Sequence, residues 1–321
     1  MANDGPDSEP TLGEVGEFDV IARVTAARQQ PPWVLVGPGD DAALVAAPDG
    51  RVAISTDMLV QDRHFRLDWS SPHDVGRKAI AQNAADIEAM GARITAFVVG
   101  FGAPSHTPLS QVTALSDGLW AEADRVGAGI VGGDMVASPH WVVSVTVLGD
   151  LAGRPPLTRS GATPGAQVAV TGTLGSSAAG YALLDAGEAG FAELRESHLV
   201  PRPPYGQGIA AAQAGACALT DISDGLLADA GHVAAASGVD IDLSRAALQA
   251  DADALTAAAQ RLHADAWQWV LTGGEDHGLL GCFPGTVPAG WRVIGRVVAG
   301  AGRVLVDGVE ATGCLGWESF G

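Results

Sequence analysis

Two α+β domains that meet near residue 150 are what this sequence of 321 residues predicts. Three observations carry the prediction. Apolar strand-like runs alternate with helical patterns along both halves. Residues 151–165, "LAGRPPLTRSGATPG", are rich in Pro and Gly and poor in apolar residues, as a boundary is. An apolar content of 47% and a mean hydropathy of +0.19 suffice for two cores at this length.

The elements follow in order. "MANDGPDSEP" is acidic and lacks a basic-then-apolar leader, so residues 1–13 read as a disordered tail and residues 14–150 as the first domain. "GEFDVIARV" spaces Phe18, Val20, Ile21 and Val24 as an amphipathic helix does. "VLVGPGDDAALVAAPDGRVAISTDMLV" predicts strand, acidic loop, strand, a "PDG" turn and a third strand closing at Asp57. From Pro72 to Met90 the Ala-rich run predicts a helix stopped by Gly91. "ITAFVVGFG" is a strand, "LSQVTALSDGLWAEADRVG" a helix, and "GIVGGDMV" and "WVVSVTVLGD" two more strands. In the second domain, 151–321, strands are expected at "QVAVTG", "ACALTDIS", "GVDIDL" and "HGLLGCF". Helices are expected at "SSAAGYALLDAG", "PYGQGIAAAQAG" and "GLLADAGHVAAASG", with a closing hairpin from "RVIGRVV" to "RVLVDG".

Composition narrows the function. Thirty-seven acidic against eighteen basic residues give a net charge of −19, which argues against a nucleic-acid partner. Cys217, Cys282 and Cys314 are odd in number and widely spaced, as reduced thiols of a cytoplasmic protein are. No apolar run approaches the ~20 residues that span a bilayer, so no membrane partner is expected.

The carboxylates are more specific. Asp41 follows a Gly-Pro-Gly turn, Asp57 and Asp134 are read at strand ends, Asp86 lies on the Ala-rich helix, and Asp221 and Asp224 bracket the turn "TDISDG". Each has a bland role as strand terminator or helix cap, Ser223 or Asp224 being the candidate cap for the helix that follows. Together they converge at neighbouring strand ends, and converging carboxylates stay ionised only around cations. Hard oxygen ligands without a His/Cys cluster point to Mg2+ or Ca2+. Such ions commonly hold nucleotide phosphates, yet the P-loop and protein-kinase patterns need a phosphate lysine and Lys78 is the chain's one lysine. "TGTLGSSAAG" reads equally as a helix N-terminus for phosphate and as a tight turn. Arg159 is the better phosphate cation.

The ordered set "GDDAA", "AISTDMLV" with "HF" after it, "NAADIEAMGA", "VGGDM", "LTRSGATPG", "DISDGL" and "TGGEDH" resembles the bacterial thiamine-monophosphate kinase family, within the superfamily of aminoimidazole-ribotide synthetase folds. The match runs from about Gly16 to the C-terminus, and seven motifs in order are specific. The resemblance implies ATP-dependent phosphorylation of thiamine monophosphate to thiamine diphosphate, and a homodimer paired through the first domains' sheets. It implies that Asp41, Ser55, Thr56, Asp57, Asp86, Asp134 and Asp221 hold Mg2+, with Asp224 at a further ion. Gly133, Asp134, Arg159 and Ser223 would contact ATP. Asp57, Asp134 and Arg159 would carry catalysis, and His64, Glu275 and Trp317 the thiamine substrate. The chain departs from the family at Ala85, Met135 and His277, where Ser, Thr and Tyr are common; the aspartates stand each time. Selenophosphate synthetase and the hydrogenase-maturation relative work through terminal cysteines that this chain lacks, Cys314 being read as a packed thiol. Aminoimidazole-ribotide synthetase and an acidic cation-binding protein without turnover stay open as alternatives.

Overall fold

The computed structural model describes residues 9–25, 28–37, 43–313 and 315–316. Two compact units emerge: residues up to Ala46 with Thr56–Ile80 and Thr95–Leu148, and Ala47–Ser55 with Ala81–Ile94 and Gly149–Gly321. Two excursions of the N-terminal half, 47–55 and 81–94, thus belong to the second unit.

The N-terminal half runs α1 (Leu12–Val15), α2 (Glu17–Thr25), β1 (Val34–Val36), β2 (Leu44–Val45), β3 (Ala53–Val60), α3 (Pro72–Ala89), β4 (Arg93–Ala103), α4 (Leu109–Arg125), β5 (Gly129–Ala137) and β6 (Val142–Asp150). Residues 9–13, expected in the tail, are instead tied down. Thr11 bridges to Pro108, the Leu12 amide donates to the Thr107 carbonyl, and Glu9 accepts the Ser110 amide, so backbone pairing orders this stretch. The main sheet has the order β3-β6-β4-β5, with β4 and β5 parallel and joined through α4, as a parallel pair requires. Burial alternates along β6: Val143, Val145 and Val147 are fully buried while the residues between them are not, so one face is core and the other open. On the edge strands the open positions include Met58 and Val136, 52% and 59% exposed.

Asp57 and Asp134 do not close their strands. β3 continues through Met58, Leu59 and Val60, and β5 through Met135, Val136 and Ala137. Both are edge strands, where a charged side chain inside the strand is tolerated and discourages foreign pairing.

The C-terminal half runs β7 (Gln167–Thr171), α5 (Ser176–Asp185), α6 (Ala192–Leu199), α7 (Gln207–Gln213), β8 (Ala218–Ile222), α8 (Leu226–Ser237), β9 (Val239–Leu243), α9 (Gln249–Leu262), α10 (Ala266–Thr272), β10 (Gly278–Phe283), β11 (Arg292–Ala299), β12 (Val304–Val306) and β13 (Val309–Glu310). Helices α6, α9 and α10 go beyond the sequence expectation. α9 buries Ala252, Leu255, Ala258 and Ala259, a helical stripe built mainly of alanine and therefore faint as a pattern.

These strands form one seven-stranded sheet of order β13-β12-β9-β11-β7-β10-β8. One face packs Val168, Val170, Ile222 and Leu280 against Leu226, Val233, Leu255 and Val270. The other gathers Ala169, Leu219, Leu279 and Phe283 with Ala89 and Ala211. Glu88, at the end of α3, accepts the Gly206 and Gly208 amides at the start of α7, which ties 81–94 to this unit. The expected terminal hairpin does not form. β11 is antiparallel to β9, and β12 lies parallel on the other side of β9, so β9 separates them.

Candidate active site

In the second unit, β3's first residues, the end of α3, the 3-10 turn Arg159–Gly161 and β8 surround a cavity of about 390 Å3. Its lining includes Ser55, Asp86, Arg159, Thr220 and Asp221. The Ser55 hydroxyl donates to Asp86 Oδ2 at 2.6 Å, a short charge-assisted bond that orients the carboxylate. Arg159 Nε donates to Thr220 Oγ1 at 3.1 Å, and the Arg159 carbonyl accepts the Ser237 hydroxyl at 2.8 Å, fixing both ends of the arginine. Two acidic side chains and one guanidinium therefore share one opening. A larger cavity of about 500 Å3 is lined by Asp242, Ser244, Arg296 and Asp307, but Arg296 there is already paired with Asp242.

His277 enters the same neighbourhood. Its Nδ1 lies 3.5 Å from Asp221 Oδ2 and the ring is 5% exposed. Burial lowers its pKa, but the Asp221 carboxylate together with the charges of Glu275 and Asp86 raises it above the ordinary imidazole value. The imidazolium so favoured offsets negative charge beside a candidate metal ligand. In the sequence His277 is only a departure from the family pattern; nothing local places it against Asp221, which β8 and β10 bring together.

The "TGGEDH" loop is held in an unusual shape. Glu275 and His277 both have left-handed backbones, φ 63° and 52°, a conformation costly for non-glycine residues and typical of sites where surrounding structure imposes it. The Glu275 amide donates to the Ser223 carbonyl at 2.7 Å and the His277 amide to the Ile222 carbonyl at 2.8 Å, which brings the "DISDG" and "TGGEDH" motifs together. Glu275 Oε2 lies 3.3 Å from Nδ1 of the buried His198. Between them, Asp276 turns inward and accepts the Gly175 and Ser177 amides. The N-terminus of α5, open in sequence to a phosphate reading, is thus filled by the protein's own carboxylate.

Helix α8 starts without the expected cap. Neither Ser223 nor Asp224 caps it; the N-cap residue is Gly225, and Asp229 Oδ2 reaches back to accept the Asp224 and Gly225 amides. Burial raises the Asp224 pKa, with the Asp221 charge pushing the same way and His232, Arg159 and His277 opposing.

The first unit carries the other candidates. Thr56 donates its hydroxyl to the Val145 carbonyl at 3.0 Å and accepts the Thr146 hydroxyl at 3.1 Å. Asp57 is half-buried on β3, and Asp134 is exposed on β5 beside Gly133. A Cβ on Gly133 would come within 2.0 Å of the Val99 carbonyl oxygen, so the close approach of β5 to β4 beside an irregularity in their register demands glycine there. His64 sits in a turn after β3, where its Nδ1 accepts the Val60 amide at 3.0 Å and its carbonyl accepts the buried Lys78 ammonium at 2.9 Å. Lys78 is thereby structural, holding the His64 turn. Asp41, Cys314 and Trp317 lie outside the described residues.

Residues 39–151 match the family model described as AIR synthase related protein, N-terminal domain. The thiamine-monophosphate kinase of Mycobacterium tuberculosis is 68% identical over 312 residues, covering 97% of this chain and 94% of that protein. The chain belongs to the thiamine-monophosphate kinase family. Membership makes it an enzyme of the thiamine-phosphate kinase class on a two-domain AIR-synthase-like fold. The family's crystal structure from Stenotrophomonas maltophilia K279a superposes with a TM-score of 0.76 at 31% identity, covering 92% of this chain and 96% of that one. A family structure complexed with AMPPCP and TMP has a TM-score of 0.75 at 29% identity, covering 98% and 100%.

Proposed function

We propose that this enzyme transfers the γ-phosphoryl group of ATP to the phosphate of thiamine monophosphate, giving thiamine diphosphate by direct in-line displacement with Mg2+. The observation that carries it is the cavity where Asp86, Asp221 and Arg159 meet, in a chain 68% identical to a thiamine-monophosphate kinase. The substrate phosphate is substantially dianionic near neutral pH, its second pKa being about 6, and is already a nucleophile. The task is to bring two anions together, not to remove a proton.

The donor set fits Mg2+, since carboxylate and hydroxyl oxygens from Ser55, Asp86 and Asp221 surround one opening. When bound there, Mg2+ supplies charge neutralisation and alignment of the phosphoryl oxygens. Asp57, Thr56, Asp134 and Asp224 are further ligands in this reading, with Asp41. Arg159, fixed by Thr220, binds phosphate oxygens, and Ser223 and Gly133 contact the nucleotide. Glu275 and His64, each anchored by neighbouring groups, bind the thiamine side together with Trp317.

The open sheet face bearing Met58 and Val136 supports a homodimer paired through the first units. The net charge of −19 speaks against nucleic acid as a partner. Among the described residues no helix is long and apolar enough to cross a membrane. A cytoplasmic enzyme is the reading consistent with both.

The test is product analysis. Supplied with Mg-ATP and, separately, thiamine monophosphate, thiamine and aminoimidazole-pathway substrates, the protein is expected to form thiamine diphosphate and ADP from the first alone. ADP release with an aminoimidazole substrate and none with thiamine monophosphate would overturn the assignment. Asp57→Asn and Asp86→Asn are expected to cut turnover at least about 100-fold with the fold intact, since loss of a supporting partner alone costs up to that much. Unchanged activity of Asp57→Asn at limiting Mg2+ removes it from the metal set.

A further inference from the structure

Two consecutive residues of the "TGGEDH" loop are gripped from the first turn of α5. The Ser177 amide donates to Asp276 Oδ1 at 3.0 Å, and the Ser177 hydroxyl lies 3.1 Å from Nδ1 of His198, which in turn lies 3.3 Å from Glu275 Oε2. Ser177 and His198 are 1% and 7% exposed, whereas the Glu275 side chain is 32% exposed. The contacts therefore run from the core out to a carboxylate that a ligand can reach. His198 is seated by the packing of α6 on α5. Ser177, Gly180 and Tyr181 share one face of α5 by their spacing. A Cβ at Gly180 would come within 2.0 Å of the Leu194 carbonyl oxygen and 3.1 Å of His198 Cβ, so glycine lets the two helices close and brings the imidazole to Ser177. The Tyr181 ring meets the imidazole in a T-shaped contact, centroids 5.4 Å apart, which restrains the imidazole's tilt.

We propose that, with Glu275 on the thiamine side as read above, His198 is a positioning residue for acceptor recognition, its Nδ1–H holding the Glu275 carboxylate in place for the cationic thiamine part of the substrate. A carboxylate only accepts hydrogen bonds, so the Nδ1 that faces Glu275 carries the proton. The Glu275 backbone is already fixed, with its φ of 63° and its amide on the Ser223 carbonyl. With the side chain held as well, the carboxylate is immobilised before the cation arrives, and binding costs less ordering entropy. Glu275 is an acceptor-side group in this reading, so the effect of His198 falls on acceptor affinity and not on ATP.

Steady-state kinetics of the full-length protein with Mg-ATP and thiamine monophosphate separates positioning from a merely structural role. His198→Asn keeps an N–H near the place of Nδ1, and His198→Gln moves it toward the place of Nε2. His198→Gln is expected to raise KM for thiamine monophosphate about tenfold, with kcat and KM for ATP within about twofold of wild type, as loss of a hydrogen bond to a charged group that binds substrate does. His198→Asn is expected to bring that KM back to within about twofold of wild type. Ser177→Ala, a small change that leaves the backbone amide on Asp276, is expected to raise the same KM about threefold. In a Glu275→Ala background the further change His198→Gln is expected to add nothing, because the group it holds is gone. An equal rise in KM for both substrates, a lowered melting temperature with KM for thiamine monophosphate unchanged, no recovery in His198→Asn, or additive effects with Glu275→Ala would each overturn the proposal alone, thiamine diphosphate still being formed. Where both His198 variants fail to fold, an unchanged KM in Ser177→Ala overturns it. A wild type that forms no thiamine diphosphate overturns the kinase assignment and this role with it.

Discussion

Asp276 places a carboxyl where water does not reach, 7% exposed, with both oxygens accepting amides at the head of α5. Burial raises its pKa to about 7, against the opposing pull of the Ser177 and Gly175 amides. The folded protein therefore holds this proton more tightly than the unfolded chain does. Stability from this group is full below the ordinary carboxylate value of 3.8 and declines as pH rises through about 7. We expect the melting temperature of Asp276→Asn to depend less steeply on pH across that window than the wild type's. At acid pH the variant should be less stable by about 1–3 kcal/mol, because its amide group leaves a backbone N–H unpaired. Parallel pH profiles for the two proteins would show that Asp276 does not titrate there. The same economy recurs at Asp229 and Glu88, where acidic side chains accept amides at helix starts that no residue before the helix satisfies.

At the level of elements, the fate of β11 and β12 turns on Asp240 of β9. Its Oδ1 accepts the Ala301, Gly302 and Arg303 amides, and its Oδ2 accepts Arg303 Nε and Nη2 at 3.1 and 2.7 Å. The loop from β11 to β12 is thus wrapped over β9, carrying β12 to its far side. The Arg303 guanidinium and these amides hold the Asp240 carboxyl well below the usual carboxylate range. Its contribution is present above pH 3.8 and is lost as pH falls through its depressed pKa. Asp240→Ala is expected to lower the melting temperature by several degrees and to weaken the acid-side loss of stability. Hydrogen exchange should accelerate at residues 300–306 before it does at β7 and β10, which lie at the interior of the sheet. Uniform acceleration through all seven strands would mean that Asp240 does not anchor this edge.

For the whole molecule, the open sheet face of the first unit is the feature to test. Met58 and Val136 leave apolar surface on the edge strands, and burying such area returns roughly 25 cal/mol per Å2. Light scattering is expected to report twice the chain mass. Val136→Asp, with a charge placed on that face, should shift the protein toward the monomer at micromolar concentration. A wild-type monomer with full activity would remove the dimer from the functional reading.

Much of this protein was legible along the chain. The helices from Pro72 and Leu109 and the strands around Phe97, Val145 and Leu280 follow from apolar spacing, because burial on one face imposes a period on sequence. The aspartates stood out because acidic residues interrupting apolar runs are disfavoured without a reason, and Arg159 because it is a cation in the Pro- and Gly-rich segment between the domains. What spacing does not encode is which strands become neighbours. That β9 would separate β11 from β12, that β3 and β5 would run on past Asp57 and Asp134, and that His277 would lie 3.5 Å from Asp221 were decided by sheet order. Asp276 filling the start of α5 joins residues 99 to 101 positions apart. Local periodicity reports which side of an element is buried; only the folded chain decides what each buried polar atom meets, because hydrogen bonds across a sheet pair residues without regard to their distance in sequence.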